Sequence, residues 1–450
     1  MLPDHPFATE TVDEQLAGEP CPRWVASWSS RKMLHSVLLV VLIVGVLAGL
    51  LFLPSWYGAF FSTRPGSIAG SLSHPGSSTV ASGLAMSPGS RLFFYRGNIY
   101  VDIAGETHVY SARTGVPRRA DALANLLVGN STIVDGILYE SIGDSTIATR
   151  LSDGKLLWQA PFNSGELNAQ EIENGVLYGM SEGTFYSMSK GREQFTHYER
   201  ISALQASDGK LLWQHRLKSP PEDALQWSVV VLQGVLYFTS IVVVPPAVDE
   251  RITALKATDG TLLWSHTLGQ ASLSSAHPGA IFAPSTNGSL LYVDVNRSLM
   301  ALQPGSGKVL WQTPRSVRPL ITRDIVYVAR GDIVYALQAA SGTILWHSKL
   351  GMNGQIAPLF GAEGGVLVLG LLAEAPAGNQ AVSLIVGLRT SDGHLLWQYP
   401  LHGYGAQTPL VIVEPTAVYG ALTRMRGLPG ADLFALRAAD GTVLWQQKVA

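Results

Sequence analysis

The 450-residue chain has one cysteine, Cys21, little charge and no cluster of basic residues. A lone cysteine excludes an intramolecular disulfide and any multi-cysteine metal centre, so packing alone must hold the fold. A net charge of −2 without grouped Lys or Arg offers nothing to neutralise a phosphate backbone, which excludes nucleic acid as a partner. Only 14% of residues are charged against 47% hydrophobic, and that balance belongs to a folded chain with an apolar surplus. No P-loop, HExxH or GxSxG is present. The histidines are scattered; His197 near Glu199 comes closest to a constellation and reads as a solvated loop pair. No catalytic, cofactor-binding or metal-ligating residue is assigned.

The apolar surplus is concentrated near the N-terminus. Met33 to Phe61 contains no Asp, Glu, Lys or Arg, and Val37 to Leu53 is apolar apart from its glycines, long enough for a membrane-spanning helix. Arg23, Arg31 and Lys32 precede the stretch, and Trp24, Trp28, Trp56 and Tyr57 bracket it as an interfacial belt would. The expected organisation is a short, disordered cytoplasmic tail at 1–32, a transmembrane helix at 33–56 and a Gly/Ser/Pro-rich linker at 57–89. Everything from 90 to 450 is then extracytoplasmic, and the protein sits in the cell membrane through one span. A cleaved signal peptide is the competing reading, although the approach is long for an n-region and no A-x-A site follows closely. In 65–89, 15 of 25 residues are Gly, Ser or Pro and none is charged, the composition of a flexible tether.

From residue 90 onward the chain repeats. "ALKATDGTLLWSHTL" returns as "ALQASDGKLLWQHRL", "ALQAASGTILWHSKL" and "ALRAADGTVLWQQKV". Aligned on its tryptophan, the motif places Trp158, Trp213, Trp264, Trp311, Trp346, Trp397 and Trp445 in one setting: a glycine four residues before, and an alanine, or Gly387, ten before. A strand-opening tyrosine precedes each at Tyr139, Tyr178, Tyr237, Tyr292, Tyr327 and Tyr419, with Val368 as substitute. An eighth unit stands in front, where Tyr100 lies 19 residues before Arg119, as Tyr139 lies 19 before Trp158. Each unit offers short β-rich runs joined by a Gly-containing hairpin turn, four strands in all. Repetition of such units with almost no helical periodicity predicts propeller blades, closed into a ring that removes exposed edges. The indole fills a recurrent gap between blades and the alanine leaves it room; a carbohydrate-stacking ladder is the functional rival. Because unit one lacks the indole, the seam between the first and last units is expected to be the weakest.

The motif A-x-x-x-x-[TSD]-G-x-x-x-W resembles the tryptophan-docking motif of pyrroloquinoline-quinone (PQQ)-like β-propeller repeats, a family that includes quinoprotein dehydrogenases and the propeller lipoprotein of outer-membrane assembly. The resemblance implies an all-β fold, an eight-bladed β-propeller of four-stranded antiparallel blades, here preceded by one transmembrane helix. It departs at the third motif position, where relatives often carry Asp or Asn and this chain has Arg150, Gln205, Lys256, Gln303, Gln338, Arg389 and Arg437. The family's dehydrogenases are similar in a vicinal cysteine disulfide beside the quinone and a calcium held by Glu, Asn and Asp. Cys21, alone and before the apolar segment, cannot form that disulfide. No cofactor is therefore expected.

The units differ where the tyrosine-to-tryptophan spacing grows from 19 residues to 35, 27, 29 and 26 in units three, four, seven and eight. These insertions fall between second and third strands, so they gather on one face of the ring as two opposed crests of loops. Loops on a rigid scaffold carry function, and Phe185, Tyr186, Val244, Pro245, Arg424 and Arg426 are the candidate partner-binding residues. Strand extension without function is the plain alternative. The expected role is a membrane-anchored, non-enzymatic scaffold with a protein partner or other ligand on this face; a degenerate quinoprotein dehydrogenase, or a hydrolase with its site at the channel mouth, is the other reading.

Overall fold

The computed structural model describes residues 80–81, 91–103, 106–119, 131–142, 145–161, 168–189, 192–217, 229–244, 247–272, 285–295, 298–314, 317–351, 354–373, 382–401, 409–423 and 431–449. The expected tail at 1–32 and the expected transmembrane helix at 33–56 lie outside them. Among the described residues no helix is long and apolar enough to cross a membrane.

Every regular element among the described residues is a strand, and the strands form eight antiparallel sheets that follow one another along the chain. Blade three is typical in order: Asn168–Glu173, Val176–Ser189, Arg192–Gln205 and Leu211–Leu217 pair as nearest neighbours. Blade one has a fifth strand, since Val80–Ala81 within the linker segment pairs with Arg91–Tyr95 through Val80↔Phe93 and Ala81↔Leu92. Its landmarks Tyr100 and Gly115 occupy the second strand and the last turn, as in the other blades.

Local chemistry explains the uniformity. The turn between third and fourth strands needs a residue at positive φ, which Gly441 supplies at +70° and its counterparts at similar angles. The glycine N–H closes the turn onto the residue four before it, as in Gly441 N to Arg437 O at 2.9 Å, and Asp440 Oδ1 accepts the Thr442 N–H at 3.0 Å. At the third motif position the family's Asp or Asn is replaced by groups that bridge the same turn: Arg150 to Asp153, Lys256 to Asp259, Arg389 to Asp392 and Arg437 to Asp440, at 2.9–3.2 Å. Gln303 and Gln338 accept from Ser306 and Ser341 instead. These contacts are exposed and each contributes little.

In register the alanine ten residues before each tryptophan stands directly across from it, as in Ala148↔Trp158 and Ala435↔Trp445, with a bulge at the next step. A methyl side chain there leaves the indole free to lie over the sheet.

The apolar core is divided into eight clusters, and each straddles one seam between consecutive blades. The seam from blade eight to blade one is among them: Leu92, Ile99, Val101 and Tyr110 pack against Leu410, Ile412, Tyr419, Leu433 and Val449. A ring built this way buries apolar surface at every junction and needs no disulfide.

The indoles cross the same seams, all in one direction. Trp158 Nε1 donates to Ala206 O at 2.8 Å, Trp213 to Ala257 O at 2.9 Å, Trp264 to Pro304 O at 3.1 Å and Trp311 to Ala339 O at 3.0 Å. Trp346 reaches Thr390 O, Trp397 reaches Ala438 O and Trp445 reaches Ala112 O, each at 2.8 Å. Every acceptor belongs to the following blade. The expectation of a weak seam between the first and last blades is thereby corrected: Trp445 spans that seam, and the position left without an indole by Arg119 faces blade two. There the cluster reduces to Phe93, Tyr100, Val109, Ile133 and Leu138, with Tyr95 and Leu151 at its margin.

Candidate interaction face

The second-to-third connections differ from blade to blade while the turns on the opposite face are nearly identical. Blades two, five and six have short connections, such as Ile142 to Ser145 and Val295 to Ser298. In blade three the two strands run 14 residues each, paired without interruption from Val176↔Gln205 to Ser189↔Arg192. Blade four has strands Val235–Val244 and Ala247–Lys256, paired from Val235↔Lys256 to Val244↔Ala247.

The insertions of blades three and four are therefore strand extensions, not the loops expected from the spacing. Their runs are rich in Phe, Tyr, Thr and Val, which fit a pleated ladder better than an open loop. Phe185 and Tyr186 lie within Val176–Ser189, opposite Thr196 and Phe195, and Val244 is the last residue of its strand. Pro245, Arg424 and Arg426 lie outside the described residues, as do the connections at 374–381 and 424–430 in blades seven and eight.

Behind this face, between blades four and five, lies a polar cluster that the sequence did not reveal. Asp249 accepts from Arg251 Nη2 at 2.9 Å and from Gln270 Nε2 at 2.8 Å, which holds its carboxyl below the usual range. Glu250 on the third strand of blade four is fully buried, and Asp294 on the second strand of blade five is 2% exposed. Burial, with Asp294 adding to it, pushes the Glu250 carboxyl up to about 7. The two are 44 residues apart, and only the seam brings them together. An adjoining depression of about 420 Å³ is lined by Leu268, Gly269, Val295, Ser298, Met300, Gln312, Thr313 and Pro314. Among the described residues no three His, Cys, Asp or Glu side chains stand close enough to hold a metal ion.

The tyrosines complete the seams. Tyr139 Oη donates to Ala206 O at 3.5 Å, Tyr178 to Ala257 O at 3.3 Å, Tyr237 to Pro304 O at 3.1 Å and Tyr292 to Ala339 O at 3.2 Å. These carbonyls also accept from the tryptophans, so tyrosine and indole of one blade converge on one oxygen of the next. Burial raises all four phenols, Tyr237 to about 12.

The family model described as "Outer membrane protein assembly factor BamB" matches residues 143–319, 248–402 and 295–450. The chain belongs to the PQQ-like β-propeller family. Several solved structures are similar to it at low identity. The computationally designed Ika8 protein is 15% identical, with 82% of this chain and 97% of that one covered and a TM-score of 0.50. BamB from Moraxella catarrhalis is 14% identical, covering 83% and 96%, at a TM-score of 0.44. Quinohemoprotein alcohol dehydrogenase from Comamonas testosteroni is 13% identical, covering 71% and 67%, at 0.46. The likeness to the designed protein is one of fold alone. No curated protein matches the chain in sequence.

Proposed function

We propose that this PQQ-like propeller is a membrane-anchored, extracytoplasmic scaffold that binds a protein partner and performs no chemistry of its own. The observation that carries the reading is the gathering of length variation on one face of an otherwise uniform ring. Seams and turns repeat nearly unchanged, whereas the second and third strands lengthen in blades three and four and the connections between them lengthen in blades seven and eight. A rigid frame with one variable face is how binding surfaces are commonly built. The description of the matched family as an assembly factor supports a partner that is a protein.

Within this reading Phe185, Tyr186, Val244, Pro245, Arg424 and Arg426 supply the contacts, and the seven indoles act as docking wedges that keep the frame rigid. Apolar residues 33–56 anchor it, with the tail inside and the ring outside.

The test is crosslinking in native membranes from photoreactive residues placed at positions 186, 244 and 426, followed by identification of what is captured. One protein recovered repeatedly from several of these positions is the expected result. Capture of none overturns the scaffold. Protease applied to intact cells with the wall opened should remove the ring and leave a small anchor fragment; full protection until lysis overturns the topology.

A further inference from the structure

Blade four rises above blade five along their shared seam. Its outer strand Leu262–Ser272 has 11 residues and follows its neighbour up to Ala247↔Ser272, whereas the outer strand of blade five, Val309–Gln312, has 4. The sequence gives the reason, since Pro314 follows Thr313 and proline has no N–H to donate to a ladder. Part-way up, blade four bends: Arg251 pairs with Thr267 and Glu250 with Gly269, so Leu268 is an extra residue on the outer strand. A bulge of this kind interrupts the ladder and lets the part above it move separately from the part below.

Glu250 stands at that bend. It shares a face of the third strand with Ile252 and Ala254, which pack on Leu291, Val293 and Val295 of blade five, so its carboxyl enters the seam above an aliphatic cluster. It is fully buried. A carboxylate held there forfeits its hydration, and Asp294 adds a like charge, so the neutral acid is the form that stays and the change of form falls at about 7. Asp249 and Arg251 lie on the opposite face of the same strand, bonded to each other. The second strand of blade four brings Tyr237 and the outer strand His266, which bond Pro304 O and Ser306 O near the other end of the seam. In the strands of blade five Asp294 is the one charged residue; the connection at 296–297 lies outside the described residues.

Water has a way in. The depression of about 420 Å³ is lined by Leu268 and Gly269 of the bulge and by Val295 and Met300 of blade five; Gly269 is the register partner of Glu250, and Val295 follows Asp294. Parting the bulged edge from blade five hydrates Glu250 and leaves the ring below it closed. We propose that Glu250 is a pH-sensitive latch: as the neutral acid it seats the top of blade four on blade five, and as the carboxylate it releases that top, so that capture of a partner by this crest fades as pH rises through neutrality. The proposal rests on the scaffold reading and gives it a regulator. Seating pre-organises the crest strands, which favours binding in the acid form.

The test follows amide exchange of full-length protein in detergent at pH 6 and pH 8, expressed as protection factors so that the intrinsic pH dependence of exchange drops out. Residues 247–251 and 268–272 should lose about tenfold in protection between the two, since opening releases one proton, while 252–256 and 262–266 of the same strands keep theirs. Glu250→Gln should stay protected at both values. Asp294→Asn should move the step to lower pH, a shift that a merely structural change at the seam would not produce. Equal protection at both pH values in the parent, a step that survives Glu250→Gln, or a loss shared by the whole ring overturns the latch. With a photoreactive residue at position 244, the parent should capture less protein at pH 8 than at pH 6, and Glu250→Gln should capture equally at both. Equal capture by the parent overturns the regulation and leaves the scaffold standing; capture of nothing from positions 186, 244 and 426 at either pH, by either protein, overturns the scaffold itself.

Discussion

Trp445 Nε1 donates to the carbonyl oxygen of Ala112 at 2.8 Å, joining positions 333 residues apart. The ring is closed by that bond and by the cluster around it. Gly115, at φ +67°, lies so near that a Cβ there would stand 2.6 Å from the indole.

Trp445→Ala should therefore cost about 3–5 kcal/mol, the penalty of a truncated aromatic in a packed seam. Trp346→Ala should cost a similar amount, since Trp346 makes the equivalent bond to Thr390 O. Urea denaturation measures both; losses below about 1 kcal/mol would show that the indoles do not hold the seams.

Gly115→Ala tests the same closure from the other side. Strain at positive φ and the encounter with Trp445 act together, and a destabilisation of about 1–3 kcal/mol is expected. A neutral substitution would mean that the indole moves freely aside.

Hydrogen exchange should find the easiest opening between blades one and two, where Arg119 replaces an indole. Strands Pro117–Arg118 and Ser131–Val134 should exchange faster than Leu410–Val413 and Val443–Val449. Faster exchange at the junction of blades eight and one would refute this assignment.

The pH dependence has two opposite limbs. Glu250, held up at about 7, is favoured as the neutral acid in the folded state against 4.5 when unfolded. Its contribution is complete below about 4.5 and is lost as pH rises through 7. Glu250→Gln should then melt above the parent at pH 8, by on the order of 2 kcal/mol, and with it at pH 4. Parallel curves at both values would place the titration elsewhere.

At high pH the phenols take over. Tyr237 and Tyr327 are raised by burial to about 12, so the neutral form is the folded one. Their contribution is complete below 10 and disappears as pH passes 12. Tyrosinate absorbance at these positions should appear together with unfolding; ionisation of all tyrosines near 10 in a folded protein would contradict their burial.

Eight blades were legible in the sequence because a ring repeats one junction, and seven of the eight units keep a tryptophan with a glycine four residues before it and an alanine, or Gly387, ten before it. The direction of the indoles was not. Spacing says that Trp445 fills a gap but not whether the gap lies ahead or behind, and so the weak seam was assigned one junction away from where Arg119 leaves it. The extensions of blades three and four were visible as length alone; whether Phe185 and Tyr186 stood in loops or strands depended on pairing with residues 195 and 196. Glu250 and Asp294 meet only across a seam, and no local pattern joins them.

The forward reach of every indole also sets an order of events during synthesis. A blade emerging from the ribosome carries its own tryptophan but no partner carbonyl, and it stays unlatched until its successor has emerged. Latching thus trails translation by one blade throughout. The last latch differs, because its receptor at Ala112 is made early and waits for Trp445. An interrupted chain that ends before Leu410 holds blades two to six latched and the circle open, with blade one exposing Leu92, Ile99 and Val101 to whatever chaperone or protease surveys it.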